Sequence, residues 1–106
     1  MPAYPALPRS ATATHATATA GAASSTALAA PAATKWRSYL LIQNVGTEAA
    51  WIKLDGTACT AAAPCILLAA GASFGGTAHV PQGAITCIRG GTGDVALSVI
   101  SEELDR

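Results

Sequence analysis

Apolar and polar side chains alternate in short blocks between residues 35 and 101, and turn-forming residues separate the blocks. Ala50–Leu54 is the clearest block, because Ile52 points to one face of an extended chain and Trp51 to the other. Short alternating blocks are typical of all-β folds, and we predict a small antiparallel β-sandwich or barrel with an extended N-terminal arm. The predicted strands are Arg37–Val45, Ala50–Leu54, Cys65–Ala69, a strand beginning at Ser73–Phe74, Ala84–Arg89 and Val95–Ile100.

Turn-forming residues predict how these strands are connected. Asn44 ends the first strand just before Gly46, where an Asx-type turn would fix a hairpin. Gly46–Ala49 is therefore predicted to be a hairpin loop. Gly71 and Gly83 stand where we expect a positive φ.

The first 34 residues follow a different pattern and are predicted to form an arm rich in alanine, threonine and proline. Prolines at positions 2, 5 and 8 favour a polyproline-like start. Alanine and threonine alternate over residues 11–20, which is typical of a strand, although a low-complexity tail fits equally well. An ordered arm without a core must lie on its own domain, on a neighbouring subunit or on a larger scaffold. The predicted division is an arm at 1–34, a β-sandwich at 35–101 and a charged tail at 102–106 that frays.

Several predicted strands are apolar on both faces. Leu40 and Ile42 alternate with Tyr39 and Leu41, so large apolar side chains point in both directions. Only one face of a strand can serve the core, and the other must be covered by the arm or by a partner. A β core of about 70 residues is also marginal on its own. Both observations predict an oligomer or a protein that binds a lattice.

The charge content excludes two classes of partner. Only 11% of the residues are charged, and six basic residues balance six acidic ones. A nucleic-acid-binding protein normally carries a basic excess, and a peripheral membrane protein carries a basic amphipathic stretch. We therefore predict that neither nucleic acid nor a membrane is a partner.

The sequence contains no pattern that predicts catalysis. Ser73, His79 and Asp94 have no spacing that supports a catalytic triad. Gly90–Gly93 precedes a strand rather than a helix and lacks a lysine, so it is predicted to be a flexible connection and not a phosphate loop. We therefore predict a protein that is not an enzyme, with no cofactor and no small-molecule substrate.

The three cysteines are an odd count and do not form a secreted disulfide framework. Cys59 and Cys65 flank a short loop, so a disulfide between them is geometrically possible. The alternative that we favour is that both cysteines and Cys87 are small buried thiols. No metal site is predicted, because there is no Cys-x-x-Cys pair and only His79 could complete a zinc set.

The two tryptophans are candidate contact residues. Trp51 lies on a strand face that also carries a lysine, where it is either a lid over the arm or an interface anchor. Trp36 stands where the arm meets the sandwich. Packing within the protein is the alternative for both residues. A sugar-binding platform is a third option for Trp51, although polar partners are sparse around it.

The segment Arg37–Asn44 has the pattern Arg-x-Tyr-Leu-x-Ile-Gln-Asn, and strand and turn patterns follow at Leu68–Phe74, Val80–Ile85 and Val95–Ile100. Together with Ala27–Ala30, these stretches resemble small β-sandwich structural proteins of tailed bacteriophages, which are short virion proteins or modules of head fibres and capsid decorations. The resemblance covers roughly residues 26–101.

This resemblance implies a capsid decoration or cement protein, located in a virion that assembles in the cytoplasm of a bacterial host. Its partners would be the major capsid protein and copies of itself, with a homotrimer suggested by the local three-fold positions of a shell. We predict that binding uses Tyr4, Leu7 and Leu28 of the arm together with Trp36 and Trp51. Two alternatives stay open: a neck, tail or fibre-associated component, and a carbohydrate-binding module.

Overall fold

Eight β-strands organise residues 13–77 and 79–105, the part of the chain that this computed structural model describes. They form two antiparallel sheets of four strands each, with no helix among these residues, and this confirms the predicted small β-sandwich. The strands are β1 (Thr14–Ala20), β2 (Ser25–Leu28), β3 (Lys35–Asn44), β4 (Ala50–Lys53), β5 (Ile66–Leu68), β6 (Ser73–Gly76), β7 (Ile85–Arg89) and β8 (Val95–Asp105).

The strand order is that of a jelly roll. The first sheet has the order β1-β8-β3-β6, and the second sheet has the order β2-β7-β4-β5. The chain therefore behaves as one long hairpin, in which β1 pairs with β8, β2 with β7, β3 with β6 and β4 with β5, rolled into two layers. The predicted hairpin at Gly46–Ala49 is wrong, because this segment carries the chain from β3 in the first sheet to β4 in the second.

The core lies between the sheets and is built by the inner residues of alternating strands. In β8, Val95, Leu97 and Val99 are at most 1% exposed, whereas the intervening Ala96 and Ser98 are half-buried on the outer face. The buried core consists of Ala20, Leu40, Ile42, Ala50, Ile52, Leu68, Ile85, Cys87, Val95, Leu97 and Val99. Both sheets contribute to this core, so neither could bury its inner face without the other.

Part of the predicted arm belongs to the sandwich. Residues 14–28 contain β1 and β2, which lie at one edge of each sheet. β1 pairs with β8 along all seven of its residues, so the alternating alanine and threonine pattern forms a strand. Among the surfaces considered for the arm, this part lies on the protein's own domain. Residues 1–12, including Tyr4 and Leu7, lie outside the described residues.

The charged C-terminal residues extend a strand instead of fraying. β8 continues to Asp105, and its last residues pair with the beginning of β3. The Nζ atom of Lys35 lies 3.6 Å from Oδ1 of Asp105 at the end of this ladder. The expectation of a frayed tail was wrong for residues 102–105, because the partner strand satisfies their backbone groups.

Asn44 fixes the crossover between the two sheets. Its Oδ1 accepts a hydrogen bond of 2.9 Å from the Gly46 N–H, which confirms the predicted Asx-type turn. Its Nδ2 donates to the carbonyl oxygens of Glu48 at 2.8 Å and Leu68 at 2.9 Å. A buried amide at the end of β3 thus ties the first sheet to β5 in the second.

The two glycines singled out from the sequence have different roles. Gly71 has a φ of 82°, as predicted, and turns the chain before β6. Gly83 is not among the residues with a positive φ. A Cβ atom there would lie 3.1 Å from the carbonyl oxygen of Leu54, so Gly83 allows a close approach of the two backbones.

A fully buried arginine holds two loops against β3. The guanidinium group of Arg37 donates to the carbonyl oxygens of Ala29 at 3.0 Å, Gly83 at 3.1 Å and Pro81. Burial lowers the pKa of Arg37, and the negative charge of Glu103, its cross-strand partner, opposes that shift. Because both of its terminal NH2 groups donate to loop carbonyls inside the protein, Arg37 is a structural residue, although its buried Nε has no hydrogen-bond partner among the described residues.

Candidate interaction surface

Three large apolar side chains form a row across the outer face of the second sheet. Trp51 of β4 pairs directly with Leu67 of β5 on one side and with Ile88 of β7 on the other. Directly paired residues of adjacent strands share a face, so the three side chains stand next to one another. Leu67 is 51% exposed, and Trp51 and Ile88 are half-buried. We call Leu67, Trp51 and Ile88 the outer row.

The local sequence produces this row because each of the three strands has apolar residues on both faces. In β4, Ala50 and Ile52 are fully buried while Trp51 between them is not, so the predicted orientation of Trp51 is confirmed. In β5, Leu68 is buried and Leu67 points outward. The row therefore follows from alternation, because each of the three strands has an apolar residue at the outward position that the register brings into line.

Polar residues border the outer row on one side. Lys53 pairs with Thr86, and Thr86 pairs with Thr26 of β2. These residues form a polar row that runs parallel to the outer row and lies two residues away from it along β4 and β7. The hydroxyl of Thr86 donates a hydrogen bond of 2.8 Å to the carbonyl oxygen of Thr57. Thr86 is buried, so the surface has an apolar strip beside the cationic Lys53 and the exposed Thr26, which is the composition of a small protein contact with a polar rim.

The first sheet carries a second set of apolar pairs on its outer face. Leu41 pairs with Ile100, and Trp36 pairs with Leu104 near the end of the β3–β8 ladder. Trp36 is 41% exposed and the other three are half-buried. Tyr39 lies between the two pairs, opposite Glu102, so an acidic residue interrupts this set.

The structure does not bring the predicted contact residues together. Trp36 lies in the first sheet and Trp51 in the second, on outer faces that point away from each other. Leu28 is half-buried and packs against the core, where it pairs with Ile85. The interface role of Trp51 stays a prediction, and the structure adds neighbours for it that sequence reasoning did not identify.

The signal that could have identified Leu67 is the run Ile66–Leu68. Three consecutive apolar residues in a strand must place at least one side chain on the outer face, because the side-chain period is two. Ile88 could not be assigned to the same surface from the sequence, since its contact with Trp51 depends on the register between β4 and β7.

The cysteines are three buried free thiols, as in the alternative that we favoured, and the Cys59–Cys65 disulfide stays a prediction. Burial, with a hydrogen bond to Cys65, raises the pKa of the Cys59 thiol to about 12. The backbone N–H of Thr60 donates to Sγ of Cys65 at 3.3 Å and lowers the pKa of that thiol. Cys87 lies against Ser25, with 3.6 Å between Sγ and Oγ, and burial raises its pKa.

Asp94 and the Gly90–Gly93 connection, both considered for catalysis, make other contacts. Asp94 accepts a hydrogen bond of 3.1 Å from Arg89, and the Glu48 carboxylate accepts one of 3.1 Å from the Thr92 N–H in the Gly90–Gly93 connection. Within residues 13–77 and 79–105, no group of three or more histidine, cysteine, aspartate or glutamate side chains could hold a metal ion. A cavity of about 200 Å³ beside β6 has mainly apolar walls, and His79 is its one titratable lining residue.

Comparison of the sequence with models of protein families finds no match, and comparison with curated proteins finds no significant match. Across the described part of the chain, no helix has both the length and the hydropathy needed to cross a membrane.

Proposed function

We propose that this protein is a structural component of a tailed-bacteriophage virion, a decoration or cement protein that binds the capsid shell through its outer row. The observation that carries the proposal is the line of Leu67, Trp51 and Ile88 on the outer face of the second sheet. The resemblance of residues 26–101 to small phage β-sandwich proteins supplies the class of partner. The proposal includes a role without catalysis and a location in the virion.

The outer row has the properties of a docking strip. A tryptophan flanked by aliphatic residues is the kind of anchor that dominates protein interfaces, because it buries a large apolar area with little loss of side-chain freedom. The neighbouring Lys53 and Thr26 would lie at the rim of such a contact. Each copy needs only modest affinity, since many copies on a shell stabilise it together.

The absence of net charge suits attachment that does not depend on electrostatic steering. With six basic and six acidic residues, the chain has a formal net charge of zero. Association through apolar contacts is only weakly screened by salt, in contrast to attachment through charged patches. We therefore expect binding to shells to change little with ionic strength.

The jelly-roll topology supports the proposal only by analogy. The same strand order recurs in viral capsid domains and in lectins, and one fold hosts many functions. The topology is therefore compatible with both a shell protein and a carbohydrate-binding module, and the surface has to distinguish them.

The direct test is co-sedimentation of the purified full chain with shells that lack it. We expect Trp51→Ala and Leu67→Ser to bind at least about tenfold more weakly than the natural chain. Val45→Ser is a matched control, because Val45 is 52% exposed and Leu67 51%, and Val45 lies in the crossover outside the outer row. Equal binding by all three variants, each shown to be folded by thermal melting, would contradict the proposal.

Copy number separates the shell from other places in the virion. Mass spectrometry of purified particles should give about one copy, or about one-third of a copy, per major capsid subunit for a decoration protein. About six or twelve copies per particle would favour the neck or tail, where the component would still be structural. Absence from the particles would exclude both virion roles.

A carbohydrate-binding module is the second candidate, because the half-buried Trp51 side chain lies on an outer sheet face in a topology shared with lectins. The chain has two tryptophans, so a Trp36→Phe variant leaves Trp51 as the only indole fluorophore. Fluorescence quenching of that variant by a panel of glycans would favour this candidate, and unchanged fluorescence would exclude it.

A further inference from the structure

We propose that the free edge of β1 is a self-association surface, at which two copies of this chain pair their β1 strands antiparallel. The two first sheets would then become one continuous sheet of eight strands. The inference concerns the chain by itself and does not depend on what the outer row binds.

The four edge strands of the sandwich differ in how well they could accept another strand. β2 has four residues and a register shift between Thr26 and Leu28, and β5 has only three residues. β6 ends with Gly75 and Gly76, at φ values of 138° and 142°. β1 is the exception, with seven residues that pair with β8 without a register shift.

β1 also lacks the features that normally protect an edge strand. Natural proteins block exposed edges with charged side chains, proline, bulges or short strands, because the unpaired backbone groups otherwise accept another strand. The residues of β1 are Thr-His-Ala-Thr-Ala-Thr-Ala, with no lysine, arginine, acidic residue, proline or glycine. A long, regular and uncharged edge of this kind is suited to pairing.

The pairing segment is the N-terminal part of β1. At the other end, the carbonyl oxygen of Thr19 accepts a hydrogen bond of 3.4 Å from the hydroxyl of Ser25, so the second sheet covers it. Thr14–Thr17 is exposed and Ala18 is half-buried. A neighbouring strand can therefore reach Thr14–Ala18 without displacing any part of residues 13–77 and 79–105.

A second copy satisfies the side-chain requirements of this segment. In a two-fold antiparallel pair centred on Ala16, Ala16 meets its own copy, Thr14 meets Ala18, and His15 meets Thr17. The residues of each pair lie on the same face, so the inner face continues as small residues and the outer face continues as polar ones. Two-fold pairing usually risks placing like charges together, and β1 has no acidic, lysine or arginine side chain that would do so.

The expected complex is a weak dimer. Main-chain hydrogen bonds supply the affinity in strand addition, and small side chains add little buried area. An interface well below about 1,000 Å² is typical of a transient contact, so we expect a dissociation constant on the order of micromolar to millimolar. A two-fold edge contact forms dimers, and it therefore differs from the homotrimer that the phage resemblance implies.

Light scattering and sedimentation equilibrium of the full chain over a wide concentration range test the inference. We expect the mass to rise from 10.5 kDa toward twice that value. Thr17→Lys should weaken dimerisation at least about tenfold, because an edge lysine opposes strand addition. Ser98→Lys is the matched control, since Ser98 is the cross-strand partner of Thr17 on the same face but lies one strand away from the edge.

Backbone hydrogen exchange locates the contact. We expect protection of Thr14–Ala18 to increase with protein concentration. A constant monomer mass, a trimer, or equal dimerisation by Thr17→Lys and Ser98→Lys would overturn the inference, as would protection that increases at Ile66–Leu68 instead. No shells are present in this experiment, so its failure is distinct from failure of the proposed capsid binding.

Discussion

Leu67 and Leu68 are neighbours in β5, yet one is 51% exposed and the other 3%. A similar contrast holds in β4, where Ile52 is fully buried and Trp51 is half-buried. Leu68 and Ile52 belong to the core between the sheets, and Leu67 and Trp51 belong to the outer row. The apolar residues of this chain thus occupy two regions, and only one of them is enclosed by the fold.

The two regions differ in what their apolar area stabilises, which is the folded chain for the core and a complex for the outer row. Burial of apolar area stabilises the fold by about 25 cal/mol per Å², so the core residues contribute in full while the outer row contributes only in part. The area that the outer row still exposes can contribute to a complex. Substitutions in the core should therefore act on folding, and substitutions in the outer row should act mainly on partners.

The largest expected effect distinguishes the two leucines of β5. Leu68→Ala should lower the free energy of unfolding by about 2–5 kcal/mol, because it leaves a cavity between the sheets. Leu67→Ala should change it by about 0.5 kcal/mol or less, as is usual for an exposed position. Urea denaturation of both variants measures the difference, and similar losses would show that the outer row is part of the folding core.

The next largest loss of folding stability is expected when the buried polar residue Asn44 is replaced. Asn44→Ala should cost about 1–3 kcal/mol, because the Gly46 N–H and the Leu68 carbonyl lose their hydrogen-bond partner. Gln43→Ala is the control, since Gln43 is the exposed neighbour in β3. Equal stability of the two variants in urea denaturation would mean that the crossover is held by its backbone alone.

A smaller expected effect is a loss of folding stability at alkaline pH. The folded protein keeps the Cys59 thiol protonated up to a pKa of about 12, whereas the thiol of the unfolded chain has its ordinary pKa of 9.0. Stability is therefore fully present below pH 9 and falls as the pH rises toward 12, by at most about 1.4 kcal/mol per pH unit for this group.

Urea denaturation at pH 8, 9 and 10 measures this dependence, with Cys59→Ala as the comparison. The variant should lose less stability between pH 9 and pH 10 than the natural chain, because it lacks the thiol that ionises on unfolding. Cys65 does not obscure the comparison, because the stability from its lowered pKa grows as the pH rises toward the pKa of the unfolded thiol and is constant above it. Parallel pH profiles would show that burial of Cys59 does not control alkaline stability.

Alternation was enough to locate most strands of the sandwich. The predicted strand Ala50–Leu54 corresponds to β4 at Ala50–Lys53, and Ala84–Arg89 corresponds to β7 at Ile85–Arg89. β2 was not predicted, because Ser25–Leu28 consists mostly of small residues without an alternating pattern. Its strand conformation depends on the partner strand β7, which no local feature reveals.

Non-local pairing also explains the errors at the crossover and the C-terminus. Gly46–Ala49 has the composition of a turn, but a turn does not specify which sheet the next strand joins. Residues 102–105 are charged, and they form a strand because β3 extends far enough to pair with them. The burial of Arg37 has the same origin, since two of its hydrogen-bond acceptors, Pro81 and Gly83, lie in a loop 44 and 46 residues further along the chain.

The sequence by itself determined the all-β class, most strand positions and the outward orientation of Trp51, because these depend on a side-chain period of two within one strand. Only the tertiary structure decided the jelly-roll order, the line of Trp51 with Leu67 and Ile88, and the exposed edge of β1. These features depend on which strands pair and in what register. Pairing is set by the packing of the whole core, which local pattern does not encode.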